Sequence, residues 1–361
     1  MTHGGPDAGA EGRTGGRSQG RGAPTIYDVA RAAGVAPSTV SRAFSRPGRV
    51  NPETAARIRA VAEELGYRAN TLARALPTGR TSMLAMVVSD LTNPFYFQII
   101  RGAQTAATAA GYTLLVADVQ ESAAAEREAL ERALPLVEGV VLGTSRMSDS
   151  AIRVIARQRP TVVLNRVITG IPSVVTDNAR GMRRAMEHLG ERGHRSIVYA
   201  AGPEASWADG VRWQAMREAA HELELRAHRV GPFAPTLAGG EAAAQAVLES
   251  GATAVVAYND LVAIGVMRRL QQQGVRVPAD LSVVGFDNIF GAELCSPTLT
   301  TVAAPLAALG QYAVRTLLEE SSEPVPRSVR PARLPAVLIE RDSTGPAPAG
   351  RRRARPAARD N

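Results

Sequence analysis

Two sets of side chains in this 361-residue chain could do chemistry, and neither is a catalytic set. The first is Ser38, Thr39 and Arg42, within the run TIYDVARAAGVAPSTVSRAF. Two hydroxyls and a guanidinium on one short helix can donate to phosphates and to base edges, and an arginine fork matches guanine O6 and N7. The second is a series of polar residues that each follow a short apolar run: Asp90 with Asn93, Asn165-Arg166, Asp177-Asn178, Asn259-Asp260 and Asp287-Asn288, with Phe95 and Tyr96 beside the first. Carboxylates, amides and guanidiniums exchange hydrogen bonds with hydroxyls while aromatic rings cover apolar faces, which suits a polyhydroxylated ligand. Each pair taken alone is equally a helix cap or a turn. Five of them at the ends of apolar runs exceed what capping requires.

The first set needs a helical frame, and local signals supply one. Thr25 and Asp28 have the spacing of a capping box, and Ile26, Val29 and Ala30 form one apolar face. Gly34 closes that helix and Pro37 opens the next, where its missing N–H is harmless. Val40 and Phe44, four apart, are expected to be buried. That turns Ser38, Thr39 and Arg42 outward, with Thr25, Pro37, Ser41 and Arg49 grouped with them as DNA-facing. Asn51-Pro52-Glu53 announces a third helix to Leu65, whose Ile58, Val61, Ala62 and Leu65 pack on the first two. Two helices joined by a glycine turn make a helix-turn-helix, though a plain helical hairpin has the same pattern. Charge separates the two. Residues 24–80 hold nine arginines against four carboxylates, the footprint of a phosphate-binding surface.

The second set needs strand ends. MLAMVVS, YTLLVAD, GVVLG, PTVVLN, SVVT, SIVYAA, AVVAY and LSVVGFD read as strands buried on both faces. Helical patterns at 95–110, 123–134, 180–192 and 261–273 alternate with them, often ending at Gly111, Gly193 or Gly274. The class is therefore a small all-α head plus an α/β core of parallel sheets with helices on both faces. In such sheets, ligands sit outside the carboxyl ends of the strands.

Composition narrows the function. Net charge is +8, but residues 81–342 carry close to −2, so the core is not a nucleic-acid surface. The chain has no lysine. Cys295 is the single cysteine, which excludes an internal disulfide framework and a cysteine-rich zinc site, and the five histidines are not spaced as a metal face. No metal and no cofactor is expected. An apolar stretch of membrane-spanning length and a secretory signal are both absent, so a cytoplasmic protein with no membrane partner is expected. Residues 1–23 and 343–361, rich in Gly, Pro, Ala and Arg, read as disordered tails. A free-standing receptor for transport would use the same core but not the basic head. An α/β enzyme is disfavoured because no G-x-S-x-G elbow, P-loop or G-x-G-x-x-G after a strand occurs.

Beyond these features, the head closely resembles that of the LacI family of bacterial transcription regulators, on TIYDVARAAGV, TVSR at 39–42, ELGYRAN at 64–70 and ARAL at 73–76. The resemblance implies that 70–80 is a hinge becoming helical on DNA, with Asn70, Ala73 and Leu76 in contact. Leu76 would be a wedge at a minor-groove base step, the alternative being an ordinary helix leucine. Ala36 stands where the family usually has a capping serine, and Pro77-Thr78-Gly79 should stop the hinge helix. The core resembles the family's effector domain, which has the periplasmic-binding-protein fold, on NPFY at 93–96, RGHRSI at 192–197, NDLVAIG at 259–265, VPADLSVVGFDN at 277–288 and PTLTTV at 297–302. It implies Arg212, Asn259 and Asp287 as main effector contacts, with Phe95, Asn165, Asp177 and Phe233 lining the cleft. Gln214-Ala215 departs from the usual glycine-containing pattern. The implied domains are a head at 24–69, lobe one at 81–178 plus about 304–328, and lobe two at 179–303 plus about 329–342. The implied function is a repressor that binds a pseudo-palindromic double-stranded operator as a homodimer and answers to a small-molecule effector, a sugar most often. No leucine-heptad tail is present, which favours a dimer over a tetramer.

Overall fold

The computed structural model describes residues 24–45, 47–67, 81–320 and 330–349. Asn70, Ala73 and Leu76, the expected hinge contacts, lie outside the described residues. The chain divides into two units at residue 81.

In the first unit, α1 (Ile26–Ala33), α2 (Pro37–Ser45) and α3 (Pro52–Glu64) close around Val29, Val40 and Ile58, all fully buried. The capping box forms, and the Asp28 carboxylate accepts from both the Thr25 backbone N–H (2.9 Å) and its hydroxyl (2.6 Å). Those bonds hold the Asp28 carboxyl below its ordinary pKa. Gly34 ends α1 at φ 65°, a left-handed conformation that glycine adopts without a Cβ penalty. Asn51 caps α3 by accepting from Glu53 N–H at 2.9 Å. Phe44 is half-buried with its ring 5.9 Å from Tyr67. Leu65, expected to pack, instead follows the end of α3 and stays 37% exposed.

The second unit holds two six-stranded sheets. The first, in order β11-β5-β4-β3-β1-β2, uses β1 (Met83–Val88), β2 (Thr113–Asp118), β3 (Gly139–Gly143), β4 (Thr161–Leu164), β5 (Ser173–Thr176) and β11 (Ala332–Leu334). The second, in order β12-β10-β9-β8-β6-β7, uses β6 (Ser196–Ala200), β7 (Arg226–Val230), β8 (Ala254–Ala257), β9 (Ser282–Asp287), β10 (Thr300–Ala303) and β12 (Val337–Ile339). All pairings are parallel except β10 with β12. Every expected strand is present, but β2 is not buried on both faces. It is the sheet's edge, leaving Leu115 and Val116 more than a third exposed.

The last crossing between lobes differs from the expected position near 329. β11 still pairs with β5 in the first sheet, and the chain reaches the second sheet only between Leu334 and Val337. Residues 343–349 are also not tail. Ser343 Oγ donates to Val283 O (2.6 Å), Gly345 N to Ser282 Oγ (3.1 Å) and Ala347 N to Arg192 O (2.8 Å), which fixes this segment to lobe two. Helices Phe95–Ala109 and Leu306–Glu320 pack backbone to backbone at Gly102 and Gly310. A Cβ at either would lie 2.0 Å from a carbonyl oxygen of the other helix.

Candidate functional site

On α2 the residues Pro37, Ser38, Ser41 and Arg42 are exposed and Thr39 is half-buried. Arg42 lies along its own helix, with Nε donating to Ser38 O (3.1 Å) and Nη2 to Thr39 Oγ1 (3.4 Å). Thr25 is exposed at the start of α1, and Arg49 is exposed in the short 3-10 turn Pro47–Arg49. These are surface bonds between neighbours on one helix, each worth little, so the guanidinium is available to exchange them for an anion or a base edge.

The second unit's site lies between the carboxyl ends of the two sheets. Lobe two contributes Arg212, on helix Trp207–Glu222, and Asp287, the last residue of β9; both side chains are 7% exposed. Arg212 donates from Nε to Asn178 Oδ1 (2.9 Å), from Nη1 to the Tyr258 carbonyl and from Nη2 to Asp287 Oδ1 (3.3 Å). Its guanidinium carbon sits 3.5 Å from the Phe286 ring centroid. A guanidinium held on every nitrogen and stacked on a ring is fixed in place before any ligand arrives. Burial pushes the Asp287 carboxyl up to about 7, against the pull of Arg212. Its neighbour Asp260, buried under β9, is raised well above the carboxylate range by the same cause; it accepts from Ile289 N–H (2.8 Å) and the Thr301 hydroxyl (2.5 Å).

Lobe one supplies a hydroxyl cluster. Ser89 Oγ shares a 2.6 Å bond with Tyr96 Oη and a 3.0 Å bond with Thr144 Oγ1, and Tyr96 also bonds Thr144. Burial raises the Tyr96 phenol, which stays protonated. Beside it Arg146 donates from Nε to Glu121 at 2.5 Å and is itself 7% exposed. A cavity of about 30 Å³ remains between the lobes, and Asn93, Phe95, Tyr96, Asn165, Arg212, Asn259 and Asp287 reach it.

Three expected cleft residues do not reach that cavity. Asp90 Oδ1 accepts from Thr92 N–H (2.8 Å) and the Thr92 hydroxyl (2.6 Å), which makes a local turn. Asp177 caps helix Asn178–Glu191 by accepting from Arg180 N–H (3.1 Å), and Phe233 packs into the apolar layer behind β8. Asn259 does both jobs, reaching the cavity while its Oδ1 caps helix Asp260–Gln272 through Val262 N–H (2.9 Å). Sequence reasoning missed Glu121, Thr144, Arg146 and Tyr258, whereas Asn178, named with Asp177 as a strand-end pair, reaches the site through Arg212. Arg146 sits three residues past β3, a strand already recognised, so the rule that pointed to the other strand ends covers it too.

Backbone strain marks the same place. Eight non-glycine residues have positive φ among the described residues, and four of them line the cavity: Glu121 (59°), Thr144 (57°), Asn165 (52°) and Asp287 (107°). Such conformations are unfavourable by about 1–3 kcal/mol each and persist where function requires them. Among the described residues no group of three or more His, Cys, Asp or Glu side chains is placed to hold a metal ion, and no helix is long and apolar enough to cross a membrane.

Comparison with known proteins agrees with both halves. Residues 25–70 match the family model for bacterial regulatory proteins of the lacI family, and residues 186–344 match a periplasmic binding protein-like domain. The HTH-type transcriptional regulator DegA of Bacillus subtilis is 31% identical over 332 residues, covering 89% of this chain and 98% of that protein. The ribose operon repressor of Halalkalibacterium halodurans is 31% identical over 324 residues, covering 89% and 97%. Among solved structures, the lac repressor dimer bound to operator and the anti-inducer ONPF aligns with a TM-score of 0.80 at 28% identity, covering 89% of this chain and 99% of that one.

Proposed function

The chain belongs to the LacI family of bacterial regulatory proteins, and on that premise we propose that it is a cytoplasmic transcriptional repressor whose hold on an operator is set by a sugar-class effector. It is a binding protein and not an enzyme. The observation that carries this reading is the buried Arg212–Asp287 pair, fixed at the carboxyl edge of lobe two in a chain that also bears a basic helix-turn-helix.

In this reading Ser38, Thr39, Ser41 and Arg42 address the major groove, with Thr25, Pro37 and Arg49 at its phosphate walls. Asn70, Ala73 and Leu76 follow as the hinge. The effector lies between Tyr96, Phe95 and Asn165 of lobe one and Arg212, Asn259 and Asp287 of lobe two. Guanidinium and carboxyl together grip adjacent hydroxyls, one donating and the other accepting. Self-association is supported by an exposed apolar strip. Phe97, 48% exposed, stacks on Phe290, 58% exposed, with ring centroids 6.4 Å apart, and Leu294 lies nearby in sequence. Two heads held by such a dimer read an operator with two-fold symmetry. An effector that favours one arrangement of the lobes shifts operator affinity by about 5–150-fold.

The test is to select binding sites from random duplexes with the purified chain, then titrate the selected duplex with D-ribose and other sugars while following fluorescence anisotropy. Recovery of a pseudo-palindrome, with affinity altered by one of the sugars, is expected. A chain with no duplex preference overturns the reading.

A further inference from the structure

The cleft contains a second guanidinium, outside the contacts that the family resemblance implies. Arg146 stands in the loop after β3, at the edge of lobe one that faces Arg212. Its position is over-determined. The Glu126 carboxylate accepts from its backbone N–H at 3.0 Å, and Glu121 Oε2 accepts from its Nε at 2.5 Å. Glu126 is 1% exposed and has no solvent to satisfy it, so this loop is anchored from beneath. Both carboxylates hold the back of the residue. Nη1 and Nη2 make no hydrogen bond among the described residues, although the side chain is only 7% exposed and lines the cavity. A guanidinium fixed through Nε, with two terminal nitrogens that have no protein partner among the described residues and open onto the cavity, is placed to give both donors to a bound molecule. Arg166 does not share this role; its nitrogens go to Ser145 O, Met147 O and Asp149.

We infer that Arg146 is the specificity-determining effector contact of lobe one, its Nη1 and Nη2 donating in parallel to two adjacent oxygens of the ligand, and that Glu121 orients and balances it. Arg–carboxylate pairs then face each other across the cleft, Arg146–Glu121 in one lobe and Arg212–Asp287 in the other. A vicinal diol or a carboxylate presents the required pair of oxygens. The inference rests on the cavity being the effector site.

The test is isothermal titration of the full chain with D-ribose, D-glucose, cellobiose, D-gluconate and ribose 5-phosphate, for wild type, Arg146→Lys, Glu121→Gln and Arg212→Ala. Lysine keeps the charge and loses the fork, so Arg146→Lys should weaken the best ligand by about 10–100-fold. Glu121→Gln removes the counter-charge while keeping shape. It should raise the gluconate-to-glucose affinity ratio by at least about fivefold, a change that mere loosening of the loop does not produce. A neutral best ligand identifies the oxygens as a diol; gluconate or the phosphate identifies them as anionic. Wild-type affinities and ratios in both lobe-one variants, with binding lost in Arg212→Ala, overturn the role of Arg146 and leave the site standing. Unaltered binding in Arg212→Ala overturns the site itself. Failure of every compound to bind wild type overturns the ligand class.

Discussion

Replacing Asp287 by asparagine should change how the chain's stability depends on pH, and the size follows from burial. The Asp287 carboxyl moves from 3.8 to about 7 on folding, because desolvation of the charge outweighs the attraction of Arg212. At 1.36 kcal/mol per pKa unit, the ionised native site is disfavoured by about 4 kcal/mol relative to its protonated form. A carboxyl with a raised folded-state pKa binds its proton more tightly in the native chain than in the unfolded one. Its contribution is therefore complete below pH 4 and is lost as pH rises through 7. Asparagine has no charge to bury and keeps an acceptor for Arg212 Nη2, while Nε and Nη1 retain Asn178 and the Tyr258 carbonyl. Asp287→Asn should thus gain on wild type by about 2.5 kcal/mol between pH 5 and pH 8. Asp260 is raised first by burial and next by the Asp287 charge, so losing that charge relieves Asp260 as well and adds to the gain in the same direction. Urea unfolding of the ligand-free chain, followed by far-ultraviolet circular dichroism across this range, measures it. Parallel pH profiles for the two proteins would show that Arg212 keeps the carboxylate ionised at no net penalty, and the reasoning would be wrong. The same variant should bind the effector far more weakly. That pairing of stability gained with binding lost is the mark of a site kept under strain.

Four further outcomes follow from the geometry. Arg42→Ala should weaken the selected operator by about 1–3 kcal/mol and random duplex much less; an unchanged ratio in anisotropy titrations removes Arg42 from base reading. Gly102→Ala forces a Cβ to 2.0 Å from Ala307 O and should lower stability by at least about 1–3 kcal/mol. Gly210→Ala, in a helix with open space around it, should raise stability by up to about 1 kcal/mol, so equal urea midpoints for these two variants would contradict the packing. His194 is fully buried, bonded to Thr253 through Nδ1 and to Ser282 and the Gly345 carbonyl through Nε2, and burial lowers its pKa below 6.5. A lowered histidine holds stability above its unfolded pKa and loses it as pH falls below 6.5, so His194→Gln should flatten the acid side of the profile. An equally steep acid limb in the variant would assign that limb to other groups.

What was legible in the sequence was what local bonds decide. Thr25, Gly34, Pro37 and Asn51 act within one helical turn, and the head's helix boundaries fall where those residues place them. The long apolar strands were legible because parallel sheets bury both faces. β7, with the polar run RAHRV, and the three-residue β11 and β12 carry no such pattern and were not. At the site, a polar residue after a strand has two uses that look alike in sequence. Asp90 and Asp177 went to turn and cap, while Asp287 went to the cavity, and the difference lies in partners 75 residues away such as Arg212. Arg146 and Glu121 meet across 25 residues and from different strands, a pairing visible only once β2 and β3 flank β1.

The size of the cavity bears on how binding could be communicated. About 30 Å³ corresponds to the share of liquid volume held by one water molecule, whereas sites that enclose small molecules measure about 300–1,000 Å³. The lining groups are therefore already drawn together, and a sugar enters only if lobe one and lobe two separate or repack at this edge. The elements resisting that change lie on the same side. Ile289, Leu261 and Ile264 of lobe two pack into the core beneath helix Phe95–Ala109 of lobe one, and Phe97 stacks on Phe290. A ligand that widens the cleft works against those contacts, so it binds two lobe arrangements with different free energies, and only such a difference lets an effector shift an equilibrium. Residues at the opposing rims, Arg146 and Arg212 above all, are where that free energy is gained. The Phe97–Phe290 stack is where it is opposed, so weakening the stack should tighten sugar binding without any new contact to the sugar.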